Sequence, residues 1–285
     1  MSDSSAQTIA SKSVRRTSRA FWVGLCRAFG GALVFGLPLL MTMEMWELGG
    51  AAERERLALL FILSIPLLVG LSHYAGFEET FGMLDDVVDA FVALAIGFVT
   101  SAGILWLFGV IGPETSWDVI ITKVSIQAVP GSIGALLAAS QFGTAEEEEE
   151  EQNRFTRYDG ELFLMAAGAI FFAFNLAPTD EMVVIAQQMS DVQAVGLALL
   201  SLVVMHAFVY AVQFSGTPET AEGTPRWSLF LRFSIPGYAI ALLMSLYILW
   251  TFGRLDGLSL QAAAATTVVL GFPAAIGAAA ARLVI

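Results

Sequence analysis

Apolar residues along this chain gather into eight blocks separated by short polar stretches: 21–43, 57–77, 87–111, 119–139, 160–177, 195–214, 227–252 and 258–285. A block of ~20 apolar residues, rising ~1.5 Å per residue, makes a helix long enough to cross ~30 Å of hydrocarbon. Pro113, Pro218 and Pro225 fall between blocks, where helix breakers belong. The fifth block is short. Its apolar run stops at Asn175-Leu-Ala-Pro-Thr-Asp-Glu181, and Pro178 disfavours helix at Ala177. A break over Asn175–Pro178 is therefore expected, followed by a new helix with Thr179 as its N-cap and acids in its first turn.

The blocks repeat. Residues 31–46 align with 168–183 at seven identical positions of sixteen, including Thr42/Thr179 and Glu44/Glu181. Ile104-Leu-Trp-Leu-Phe-Gly109 matches Ile248-Leu-Trp-Thr-Phe-Gly253, and Pro130-Gly-Ser-Ile-Gly-Ala135 matches Pro273-Ala-Ala-Ile-Gly-Ala278. The three offsets are 137, 144 and 143, in register to within a loop length. The expected architecture is an all-α polytopic membrane protein of eight transmembrane helices, built as two parallel four-helix repeats. Its parts are a disordered cytoplasmic tail (1–19), a first repeat (20–143), an acidic cytoplasmic linker (144–157) and a second repeat (158–285).

Composition agrees with that class: 56% of the 285 residues are hydrophobic and 14% charged, against roughly 25% charged in a soluble domain. Six of the acids behind the net charge of −12 form the run 146–151, read as a solvated tether. Ten basic residues fall on the side of the N-terminus and four (Arg54, Arg56, Lys123, Arg254) on the other. That imbalance puts both termini in the cytoplasm. The first block is too long for a signal-peptide core. Trp22, Trp46, Trp117, Trp227 and Trp250 lie near block ends, where indoles favour the interface. A single cysteine, Cys26, excludes an intrachain disulfide.

Candidate chemistry is sparse. Hydrolytic signatures and paired Cys/His ligands are missing and the loops are short, so no enzyme, resident cofactor or nucleic-acid partner is expected; the bilayer is the expected partner. If the breaks at the ends of blocks one and five meet near a pseudo-twofold axis, Glu44, Glu181, Asp180, Asn175, Thr42 and Thr179 surround one outward-facing site. Such an oxygen-rich site suits a transported cation such as calcium, sodium or a proton; the plainer alternative is that the acids cap interfacial helices. Asp85, Asp86 and Asp89 share one helical sector at the cytoplasmic start of block three. They suit either an ion-entry vestibule or a structural pair, Asp89 with Arg232, locking the repeats. His206, in block six, is a possible proton relay or a packed core histidine. Lys123 and Gln127 form a further polar pair inside block four.

The run His73-Tyr-Ala-Gly-Phe-Glu-Glu-Thr80, the stretch Asp85-Asp-Val-Val-Asp89 and Asn175-Leu-Ala-Pro-Thr-Asp-Glu-Met182 resemble a family of bacterial integral membrane proteins without an assigned activity. The resemblance covers nearly the whole chain and implies the membrane class only. Asn175-x-x-Pro178-x-x-Glu181 is also similar to the signature of cation/calcium exchangers, at a different spacing.

Overall fold

A computed structural model describes residues 3–75, 83–142, 158–210 and 230–284, with side chains over 22–74, 83–137, 158–208 and 230–281. Among these residues every regular element is a helix, and eight helices are long and apolar enough to cross a bilayer. The first half contains α1 (Asp3–Leu40), the short α2 (Met43–Ala51), α3 (Arg54–Ala75), α4 (Met83–Leu107) and α5 (Trp117–Phe142). The second contains α6 (Tyr158–Leu176), the short α7 (Glu181–Gln188), α8 (Asp191–Tyr210), α9 (Ile235–Thr251, entered through a π turn at Phe230–Ser234) and α10 (Leu260–Val284). Backbone helix reaches back to Asp3, through the segment expected as a tail. The linker 144–157 lies outside the described residues.

Several spans start earlier than hydropathy alone suggests. Asp85 and Asp86 in α4, Asp118 in α5, Asp159 in α6 and Asp191 in α8 occupy first turns. Carboxylates there complement the exposed N–H groups and the helix dipole, so the helix includes residues an apolar window leaves out.

Both halves pack alike. The last span is the centre of each: α1 and α4 lie on α5, and α6 and α9 lie on α10, while α2 and α7 rest on α5 and α10. Backbones touch where glycine permits it. A Cβ at Gly134 of α5 would meet the Gly31 carbonyl oxygen of α1 at 2.5 Å and the Phe35 Cβ at 2.5 Å; at Gly277 of α10 it would meet the Gly168 carbonyl and Phe172 of α6. Those partners correspond under the offsets read from the sequence. Small residues give this closeness in lipid, where dispersion and packing replace the hydrophobic drive between helices.

The ends of α4 and α9 correspond as well. Gly109 and Gly253 take φ of 71° and 70°. Val110 N–H donates to Leu105 O at 2.9 Å and Arg254 N–H to Leu249 O at 2.9 Å. Each is a left-handed glycine C-cap closed by a bond spanning five residues, which satisfies carbonyls the helix would otherwise expose.

The halves meet mainly through α6, which touches α1, α3 and α5, with α9 also touching α3. Phe171 of α6 meets Phe35 of α1 edge-on at 4.8 Å, and Phe163 lies against Tyr74 at 5.4 Å.

Candidate functional site

The breaks fall after Leu40 and Leu176, and each is closed by its own polar residues. Thr42 Oγ1 donates to Pro38 O at 2.5 Å, and the Trp46 indole donates to Leu40 O at 2.7 Å. In the second half Asn175 Nδ2 donates to Phe171 O at 2.8 Å and Thr179 Oγ1 to Leu176 O at 2.9 Å. Thr42, Trp46 and Thr179 serve carbonyls in the last turns of α1 and α6, and Asn175 bonds a carbonyl one turn further in. Thr179 therefore reaches backward rather than capping α7, whose N-cap position is Asp180. Hydroxyl and amide donors serve carbonyls, and a helix C-terminus supplies those.

The acids at the breaks sit differently. Asp180 is exposed and ion-paired with Arg254, whose guanidinium also donates to the Pro178 carbonyl. Arg254 occupies the residue after the glycine cap of α9, so that cap aims it at the break. Glu181 is exposed in the first turn of α7. Its carboxyl is held below the usual range, first by its own backbone N–H, then by the Thr179 hydroxyl, with the Arg254 charge adding to both. That hydroxyl has one proton, so Leu176 O and Glu181 compete for it. Glu44 is half-buried in the first turn of α2. Among the described residues no hydrogen bond or ion pair joins Glu44 to Glu181 or Asp180, and no three His, Cys, Asp or Glu side chains converge as a metal site. Each short helix packs on the last span of its own half.

At the opposite end, Asp86 rather than Asp89 is the buried acid of the α4 sector, 4% exposed, with Oδ2 at 3.1 Å from His73 Nδ1. Its Oδ1 is buried without a partner. Asp85 is exposed and Asp89 half-buried. The expected Asp89–Arg232 lock is not formed: Arg232 lies over the Tyr158 ring at 5.4 Å, and Tyr158 Oη donates to Arg232 O at 3.1 Å. A planar guanidinium beside a tyrosine finds a desolvated face to stack on without crossing to the other half. His206 places Nδ1 2.9 Å from Ser234 Oγ and packs edge-on against Phe230, a contact between α8 and the start of α9.

A charged tie between the halves lies at the other end of the bundle, on the side of the breaks. Arg56 of α3 donates to Trp250 O at 2.7 Å, pairs with Asp256 at 3.0 Å and with Glu53 at 2.8 Å, and stacks over Trp250 at 5.0 Å. Nothing in the local pattern pointed to it, since Arg56 and Asp256 read as two loop charges two hundred residues apart. A second matched feature also escapes sequence comparison. Arg54 of α3 pairs with Asp118 of α5 at 3.6 Å, and at the equivalent place Gln261 of α10 donates to Asp191 of α8 at 2.7 Å. The two contacts match in place and differ in chemistry, so identity scoring misses them.

Among the described residues, buried polar groups without a partner occur in both halves, as hydroxyls of Tyr238, Ser245 and Tyr247 in the second, and the one amide among them lies in the first. Gln127, 1% exposed on α5, has both amide atoms buried and unpartnered; so has the Thr100 hydroxyl on α4 and the Ser72 hydroxyl on α3. Gln127 is ten residues into α5, about 15 Å along the helix and near mid-bilayer for a core of ~30 Å. A family model described as putative integral membrane protein (DUF2391) matches residues 24–285. The chain belongs to this family. No curated protein and no solved structure matches it. As a member of the DUF2391 family the protein is a multi-pass integral membrane protein, and the polar groups inside its spans are set in lipid-embedded helices.

Proposed function

We propose that this protein moves a small cation, a proton in the simplest case, across the membrane as a channel or secondary transporter and catalyses no chemical reaction. The observation that carries the reading is Gln127. An amide buried in an apolar interior without a hydrogen-bond partner costs ~1–3 kcal/mol by mutational measures. Such a group is retained inside a span where water or an ion completes it. Thr100, one helix away and equally unpartnered, extends the polar file outward; Asp86 with His73 ends it at the other face.

The second half supports the assignment by contrast. At the offsets that align Pro130 with Pro273 and Gly109 with Gly253, Gln127 corresponds to Leu270, Thr100 to Met244 and Asp86 to Phe230. We read the chain as a duplication in which the mid-span amide of Gln127 and the buried acid Asp86 belong to the first half alone, while the second half buries hydroxyls at comparable depth, those of Tyr238, Ser245 and Tyr247. The recurrent glycine contacts, glycine caps and outer polar pairs favour that history. Glu44 and Glu181 then act as charges near the outer mouth, not as a shared binding site. The surplus of basic residues favours both termini in the cytoplasm of a bacterial inner membrane.

A second reading, a non-transporting sensor or assembly protein, is favoured by the saturated breaks and by the clamps of Arg254 and Arg56. Proteoliposome flux separates the two. Protons and sodium should cross faster than in empty vesicles, and Gln127→Leu should cut the rate by about tenfold or more, as a ~1.4 kcal/mol barrier increase requires. Vesicles that stay as tight as protein-free ones for both ions would favour the second reading.

A further inference from the structure

A cavity of about 280 Å³ opens between the outer ends of α3 and α5. Its rim is the Arg54–Asp118 pair, 3.6 Å apart with both side chains about four-fifths exposed. One to two turns deeper, α5 contributes Thr122 and Ser125. The remaining wall is apolar, with Leu57 and Phe61 of α3 and Ile121 of α5. Charge at the interface, hydroxyls at intermediate depth and an apolar wall below follow the order of a phospholipid from headgroup through glycerol to acyl chain.

We infer that this cleft is a binding site for one phospholipid with a zwitterionic primary-ammonium headgroup, the phosphatidylethanolamine class. Charge complementarity selects the occupant. Arg54 offers a guanidinium fork to the phosphate, and Asp118 accepts hydrogen bonds from the ammonium. The two charges are near neighbours, as the phosphate and ammonium of one headgroup are, and their direct pairing is too long and exposed to hold them against that exchange. A trimethylated headgroup has no N–H to give Asp118, and an anionic headgroup leaves Asp118 facing like charge. The volume suits a headgroup, glycerol and the first methylenes, with the tails continuing along the apolar helix faces. The equivalent place in the second half carries Asp191 and Gln261, with no cation for a phosphate. The site belongs to one half only.

The test is lipid retention by the full chain purified in mild detergent and exchanged into equal mixtures of phosphatidylethanolamine, phosphatidylglycerol and phosphatidylcholine, read by native mass spectrometry. One phosphatidylethanolamine should remain bound in preference to the others by about tenfold, a difference of ~1.4 kcal/mol. Arg54→Gln and Asp118→Asn should each remove that preference. The exchange Arg54→Asp with Asp118→Arg should restore it, because a zwitterion can bind reversed, and Asp191→Asn should leave it intact. Equal retention of all three lipids (a shared annulus only), preference for phosphatidylglycerol, or a preference indifferent to both single substitutions would overturn the assignment.

Discussion

Glu181 shows how one residue's surroundings decide its chemistry. Its carboxyl is favoured in the ionised form by its own N–H, by Thr179 and by Arg254. A carboxyl whose folded value is lowered stabilises the fold above its unfolded value, and that contribution is lost as pH falls through the folded one. Thr179→Val and Arg254→Gln should each move the Glu181 titration upward toward the ordinary carboxylate range, without completing the return because the backbone N–H remains. Carbon-detected NMR titration of the side-chain carboxyl would check this; an unmoved Glu181 in both variants would contradict it. Proline and threonine made the break itself legible in the sequence. Which way Thr179 donates was not, because a hydroxyl three residues past a helix end can serve the helix behind it or the one ahead.

At the scale of elements, hydropathy located the eight spans because it is a local property of some twenty consecutive residues. Glycine placement then fixes which helices touch. Gly134→Val and Gly277→Val should each destabilise the fold by about 1–3 kcal/mol through overpacking, read as lowered resistance to thermal unfolding in detergent. Similar losses at the two sites are expected, since each glycine faces the carbonyl of its own half's first span. Gly109→Ala and Gly253→Ala place a Cβ on a left-handed backbone, at a cost of about 1–2 kcal/mol. No Cβ contact arises at Gly109 within 4 Å, so the loss there is conformational. At Gly253 the Asp256 carboxylate is also close, at 3.1 Å, and the loss should be somewhat larger. Sequence comparison found these glycines through their matched motifs, yet it missed the Arg54–Asp118 and Asp191–Gln261 pairs. The two contacts sit at matching places but are made by different residue types.

Across the whole molecule, long-range pairing is where reading the sequence fails. Asp89 and Arg232 looked like a lock because both are charges at the inner ends of spans. The structure instead gives Arg232 an aromatic face in its own half and makes Arg56 a charged tie between the halves. Arg56→Gln should therefore weaken the assembly by about 1.5–3 kcal/mol, the range of hydrogen bonds to charged groups. It should also raise amide exchange along the first turns of α3 and the segment after α9, while the opposite ends keep their protection. Uniform loosening of both ends would contradict Arg56 as a local clamp. Gln127 was visible in the sequence as a polar residue in an apolar block. Only the packing shows that it is buried without a partner, and that changes it from a curiosity into the centre of the functional reading.

The central claim is that ions cross through the first half and not between the two. Its most direct test compares proton and sodium flux in proteoliposomes for the wild type, Gln127→Leu, Asp86→Asn and the double variant Glu44→Gln/Glu181→Gln, all at matched incorporation. The account predicts that Gln127→Leu and Asp86→Asn each lower flux by about tenfold or more, while the double variant stays within about twofold of wild type. The reverse pattern, with flux lost in the Glu44/Glu181 variant and retained in Gln127→Leu, would contradict it and return the pathway to the interface between the halves.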